Sequence, residues 1–241
     1  MKNLLLTIII CCLGQTFVGC NDKEEIGILR DIEFQIDGEN IDLSGTEFKD
    51  DRILYIYDNK GNKYANYKAY TRLSLDNGKY KLLAAMPLDS GMPNGNLNDI
   101  VIPLPKLANK KITITDPIRV DLPKDETVTF NLKTRTGTLV IQSQDIKSDR
   151  RYNFIDIKTK VYQSGYKPST QTYVDGEIDI YRTFSATGGG VNFKQELNLY
   201  PTKDENDKID LYFDFYNRSP NDTVLVKSQK LAQALSIEAG R

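Results

Sequence analysis

The chain of 241 residues contains no histidine, no tryptophan and only three cysteines. Without histidine there is no Ser-His or Cys-His pair to activate a nucleophile, and the usual zinc ligand sets are gone. Cleavage of glycosides by two carboxylates survives that exclusion. It needs acids about 5–9.5 Å apart in a cleft, and nothing in the sequence pairs any two. No enzyme, cofactor or metal is therefore expected. The lack of tryptophan removes the largest ring for stacking on sugars. Charge of one sign is also missing: 32 Lys+Arg stand against 33 Asp+Glu, a net of −1. No field draws the chain to nucleic acid. Long apolar runs are scarce, and no stretch carries a long amphipathic helical pattern; Lys230 to Leu235 could form one or two turns.

The longest apolar run is Leu4 to Leu13, broken by Thr7 and preceded by Lys2. It falls short of the about 20 residues that span a bilayer. Basic start, apolar middle and small-residue exit predict a secretory signal peptide over residues 1–19. The exit, Phe17-Val18-Gly19-Cys20, resembles the lipobox of bacterial lipoproteins, cut between Gly19 and Cys20, although Phe17 stands where Leu is usual. Cys20 would then carry lipid and attach the protein to the outer membrane. Two acyl chains suffice, each buried CH₂ contributing about 0.8 kcal/mol. The plainer reading is a secreted protein with a free Cys20. Cys11 and Cys12 leave with the signal, so no disulfide forms within the mature chain. Residues 20–27, with Asp22, Glu24 and Glu25, read as a tether.

From Ile28 onward the pattern is β. Ile32, Phe34 and Ile36 alternate with polar residues, a period of two that buries one face. Asp37-Gly38 marks a turn. Ile53 to Tyr57 reads as an apolar strand closed by a hairpin loop at Asp58 to Asn62. Leu73 and Leu75 lead through Asp76-Asn77-Gly78 to Tyr80 to Ala85, which predicts a hairpin. Met86 to Pro105 reads as a proline-rich loop open to proteases. Strands resume at Ile112 to Ile114 and Thr127 to Leu132. A polar joint at residues 133–137 predicts a boundary between two β-sandwiches, 28–134 and 135–241. In the second, strands are expected at 138–143, 154–162, 173–174, 178–184, 191–200, 209–216 and 223–226, with turns at Gly165 to Pro168 and Asp175-Gly176. Strands at such intervals point to sandwiches. Leu235 to Arg241 echoes Leu73 to Lys79, which raises the expectation that the second sandwich lacks its last strand, either through truncation or to accept a partner's strand.

Other candidates are weaker. Asp204 to Asp210 resembles the start of a calcium loop, but Lys208 takes a ligand position and Ile209 the glycine position, so a solvated hairpin loop is expected. Gly188-Gly189-Gly190 lacks the strand–helix setting of a phosphate loop and reads as a turn.

Several features together resemble the fimbrillin-like surface lipoproteins of Bacteroidetes, the subunit and anchor family of type V fimbriae. They are the lipobox, Leu54-Tyr55-Ile56-Tyr57-Asp58-Asn59-Lys60-Gly61, Gly78-Lys79-Tyr80-Lys81-Leu82-Leu83-Ala84 and Gly137-Thr138-Leu139-Val140-Ile141. The resemblance implies an all-β fold of two tandem transthyretin-like (Ig-like) β-sandwich domains after the signal peptide. It implies a cell-surface role in adhesion or pilus assembly by β-strand addition, without catalysis, with other fimbrial subunits or surface lipoproteins as partners. Stalk and tip subunits of that family are cut after an arginine near the N-terminus, and Arg30 is suitably placed; anchors keep their lipid. In the same group an acidic stretch after the lipidated Cys directs export to the surface, and residues 22–25 resemble it or are a solvated linker. Asp222-Thr223-Val224 matches the group's short O-glycosylation motif at Thr223. The competing reading is a glycan-binding surface lipoprotein of a polysaccharide-uptake system, which would need exposed tyrosines from the 14 present.

Overall fold

A computed structural model describes residues 26–41, 53–67, 72–86, 88, 92–106, 108–146, 151–186, 191–203, 208–231 and 235–240. The fold is all β. Among the described residues there is no helix, and the helical turns expected after Lys230 are not seen at 230, 231 or 235.

The first core is a sandwich. One layer has the order β10-β7-β4-β5, built from β4 (Leu54–Asp58), β5 (Lys63–Tyr67), β7 (Gly78–Ala84) and β10 (Ile118–Leu122). The other has the order β3-β2-β11-β9, from β2 (Asp31–Ile36), β3 (Glu39–Asn40), β9 (Thr113–Ile114) and β11 (Thr127–Thr134). Beside it β1 (Ile26–Leu29) pairs antiparallel with β6 (Leu73–Asp76). The period of two does its work in β2 and β11. They run parallel in the register Ile32↔Val128, Phe34↔Phe130 and Ile36↔Leu132. Phe34 and Phe130 stack with ring centroids 5.2 Å apart, while Glu33, Thr129 and Asn131 face water. The Asp37-Gly38 turn is as expected: both residues have positive φ, 48° and 90°, the pattern of a two-residue hairpin that follows the strand twist.

The Asn77-Gly78 hairpin is not formed. β6 pairs with β1, whereas β7 pairs with β10 and β4. Leu73 and Leu75 point into the same core as Tyr80, Leu82 and Ala84. The chain passes from the β1-β6 pair to the β10-β7-β4-β5 sheet at this step. Gly78 is absent from the residues with positive φ, so the geometry of a tight hairpin is not used.

The second core lies against the back of the first. Its main sheet runs β14-β13-β16-β17, from β13 (Phe154–Lys167), β14 (Thr172–Ser185), β16 (Asp210–Ser219) and β17 (Asp222–Lys230). Facing it are β12 (Gly137–Ile146) and β15 (Val191–Leu199), paired antiparallel. The expected turns at Gly165 to Pro168 and Asp175-Gly176 are replaced by two long strands with register shifts between Val161, Gln163 and Gly165. Bulges absorb the glycines. A Cβ at Gly165 would meet Val101 Cγ1 at 2.4 Å, and that bare backbone lets β8 (Ile102–Pro103) pair there. The turn itself follows at residues 168–171.

The apolar clusters do not follow chain order. Met92, Leu97, Ile100, Ile102, Leu104 and Ile112 fill the second core. The expectation of an open loop at Met86 to Pro105 therefore fails: its described part is pinned by Leu97 N–H to Gly61 O at 2.7 Å and Leu104 N–H to Ser164 O at 2.9 Å. β4 and β7 serve both cores. Leu54, Ile56, Leu82 and Ala84 face the first, and Tyr55, Tyr57, Leu83 and Ala85 face the second. A strand covered on both faces reads as a continuous apolar run rather than an alternating one, which explains Leu54-Tyr55-Ile56-Tyr57. Arg135, between β11 and β12, ties the seam: its guanidinium pairs with Asp116 and lies 4.7 Å from the Tyr166 ring centroid. Burial works against the Asp116 charge. The Lys133 hydrogen bond and the positive charges of Arg135 and Lys133 outweigh it and hold its pKa below the usual carboxylate value.

Candidate functional site

Gly19, Cys20 and tether residues 21–25 lie outside the described residues, as do Gly188-Gly189-Gly190 and Asp204 to Asp207; Ile26 and Gly27, read as tether, belong to β1. Among the described residues no group of three or more acidic or thiol side chains is arranged to hold a metal ion. No helix there is long and apolar enough to cross a membrane.

Arg30 is exposed at the corner between β1 and β2, and its N–H donates to Glu126 O at 2.8 Å. The strand before it is a thin cover. Among the described residues β1 pairs only with β6, yet Leu29 is completely buried on Leu73, Leu75 and the rest of the first core. Ile26, at its other end, is 61% exposed. Thr223 lies on β17, every residue of which is exposed. Its N–H donates to Asp222 Oδ1 at 2.8 Å.

The outer face of the main second-core sheet was not anticipated in the sequence. Its residues sit in four cross-strand rows. Phe154 stands beside Tyr216. Thr183, Asp156, Asp214 and Ser228 form the next row, then Tyr181, Lys158, Tyr212 and Lys230, then Asp179, Lys160 and Asp210. The opposite positions, Ile155, Ile157, Val161 and Leu211, enter the core. Every basic side chain in these rows has an acid. Lys158 pairs with Asp214, Lys160 with Glu177 at 2.8 Å, and Lys230 with Asp210 at 2.6 Å. Arg218, one step along β16, pairs with Asp156 at 2.6 Å. The cations also lie beside rings. Arg218 is 5.1 Å from the centroid of Phe154 and 4.9 Å from that of Tyr216, and Lys158 sits between Tyr181 and Tyr216 at 5.9 and 5.6 Å.

These contacts set the charge states. The hydrogen bond to Asp214 raises the Lys158 pKa above its ordinary value, against the effect of burial. Burial opposes the Asp214 charge, but hydrogen bonds from Lys158 and Ser228 hold its pKa below normal. Asp156 and Asp214 are 8% and 6% exposed; they are fixed acceptors under a layer of rings. Tyr181 is 52% exposed, and its hydroxyl makes no hydrogen bond among the described residues. The sequence signal was present: Tyr212, Asp214 and Tyr216 alternate with Leu211, Phe213 and Phe215, so the polar side of that strand carries rings as well as acids.

No family model matches the chain, and no curated protein matches it in sequence. Solved structures do. The chain is similar to a candidate adhesin from Bacteroides ovatus, at 11% identity and a TM-score of 0.56 over 84% of this chain and 82% of that one. It is similar to a candidate adhesin from Bacteroides thetaiotaomicron, at 12% identity and a TM-score of 0.50 over 86% and 81%. A candidate polysaccharide-binding protein from the same species aligns at 12% identity with a TM-score of 0.43 over 80% and 78%, too distant to argue from. The likeness is one of fold.

Proposed function

We propose that this chain is a cell-surface adhesion protein, first held on the outer membrane by lipid on Cys20 and then, once cut after Arg30 and so released from that lipid, joined to other subunits or surface lipoproteins by β-strand addition. Its work is binding, with no catalytic step. The observation that carries the reading is β1: a four-residue strand on one hydrogen-bonded neighbour, covering Leu73 and Leu75 with the fully buried Leu29, and followed at once by the exposed Arg30. Removing such a strand leaves a row of unpaired backbone groups beside an apolar groove. An incoming strand repairs both, main-chain hydrogen bonds supplying affinity and alternate side chains filling the pockets. The two Bacteroides structures of the same fold are described as candidate adhesins, which agrees with this role.

The test has two arms. Cys20→Ser should move the protein from the membrane fraction to the soluble one; retention of lipid label by that variant rejects the anchor. Cleavage with an arginine-specific protease in the presence of a synthetic peptide matching residues 26–29 should give a stable peptide complex after cleavage at Arg30. Arg30→Gln should abolish it. Cleavage at Arg30 that leaves no peptide-accepting site rejects strand addition at β1.

A further inference from the structure

We propose that the outer face of the β14-β13-β16-β17 sheet is a platform for a neutral glycan, lying across the strands along the row Tyr181, Lys158 and Tyr212. Solvent-facing positions on one sheet of the first sandwich give the contrast. On β2 and β11 they are Asp31, Glu33, Gln35, Thr127, Thr129, Asn131 and Lys133, with no ring among them. On β13, β14 and β16 the same positions carry Phe154, Tyr181, Tyr212 and Tyr216. Rings kept partly in water, three of them tyrosines with a polar tip, suit a ligand with both C–H faces and hydroxyls.

Three further features select the ligand. The first is charge. Lys158, Lys160, Lys230 and Arg218 are each already matched by a carboxylate, so an anionic polymer finds no unpaired cation. The second is desolvation. A protein seated here would bury four ion pairs, whose loss of water is seldom repaid. A glycan replaces that water with hydroxyls that donate to Asp210 and accept from Lys158 and Lys230, which are partly exposed. These groups are held in place before the ligand arrives, which lowers the entropy of binding them. The third is spacing. Tyr181 and Tyr212 flank Lys158 on neighbouring strands, so their backbones are about 9.6 Å apart, two strand spacings. That separation is close to the length of two linked sugar units, and it lets every second ring of a chain rest on a tyrosine.

This inference goes beyond strand addition and shares no residue with it, so either can fail alone. It is tested by native electrophoresis of the full chain in detergent, in gels containing dextran, yeast mannan, galactomannan or xyloglucan, with polygalacturonate as the acidic comparison. At least one neutral polymer should retard the protein. Tyr181→Ala should weaken that retardation about tenfold or more, the scale of losing one aromatic anchor, and Tyr212→Ala should also weaken it. Both variants should keep the parent circular dichroism, and Val140→Ala, an exposed apolar residue on another sheet, should bind like the parent. Three outcomes overturn the proposal: no retardation by any neutral polymer, retardation by polygalacturonate alone, or retardation that both tyrosine variants retain while folded.

Discussion

β4 and β17 are both written with consecutive apolar residues, Leu54-Tyr55-Ile56-Tyr57 and Val224-Leu225-Val226. Four successive residues of β4 are buried, and no residue of β17 is. β4 has β7 and β5 as neighbours and a core on each face. Among the described residues β17 pairs with β16 alone. An apolar run therefore announces a strand without saying how many of its faces are covered; the layers around it decide that. β17 also carries the marks of a guarded edge. Its register shifts beside Val226, and Lys227 and Lys230 follow. A bulge and lysines discourage pairing with another chain's edge.

The contrast can be broken by substitution. Ile56→Ala, fully buried at the centre of β4, should cost about 2–5 kcal/mol, as other large-to-small core changes do. Leu225→Ala on β17 should stay within about 0.5 kcal/mol. Urea unfolding of both variants checks this, and equal losses would mean that β17 is covered. Gly137→Ala comes next. A Cβ there would lie 2.1 Å from Glu238 O and 2.6 Å from Ile237 Cγ2, so it should cost about 1–3 kcal/mol. Hydrogen exchange should show faster loss of the Gly240 amide proton, which is bonded to Thr136 O.

A smaller effect separates the acids. The folded pKa of Asp214 lies below its unfolded value. Its contribution is complete above the unfolded pKa and is lost as pH falls through the folded one. Asp58 is lowered too, by hydrogen bonds from Asn62, but is fully exposed. Asp214→Asn should flatten the acid limb of the stability–pH curve, and Asp58→Asn should leave that limb almost unchanged. The smallest expected change in stability is that of Lys227→Val together with Lys230→Val. Their effect belongs in sedimentation, where loss of the edge lysines should bring concentration-dependent self-association. A monomer at all concentrations would show that the bulge alone guards β17.

Much of the fold was legible in the sequence, because alternation in Ile32-Phe34-Ile36 and Val128-Phe130-Leu132 reports one buried face directly. Asp37-Gly38 was legible because two consecutive residues tolerant of positive φ leave little choice of turn. Asn77-Gly78 was misleading for a tertiary reason. Leu75 and Tyr80 serve one core from two different sheets, a relation that no local pattern carries. The same holds for residues 92–106, whose prolines signal loop while Leu97, Ile100 and Ile102 are core. The tyrosine face escaped notice because it is assembled from β13, β14 and β16, with Tyr181 and Tyr212 far apart in the chain. Only register makes them neighbours.

The layer formed by β4 and β7 has a mechanical meaning. Two beads on a string bend at the string; two rooms that share a wall do not. Pulling the cores apart would strip Tyr55, Tyr57, Leu83 and Ala85 from one side of that wall and open the Arg135–Asp116 seam. Load entering at β1 and β2 is thus passed to the tyrosine face through a stiff body, without an elbow between them. A ligand held on that face would feel the motion of the attachment point almost undamped. Any slack in the connection has to lie in chain outside these layers.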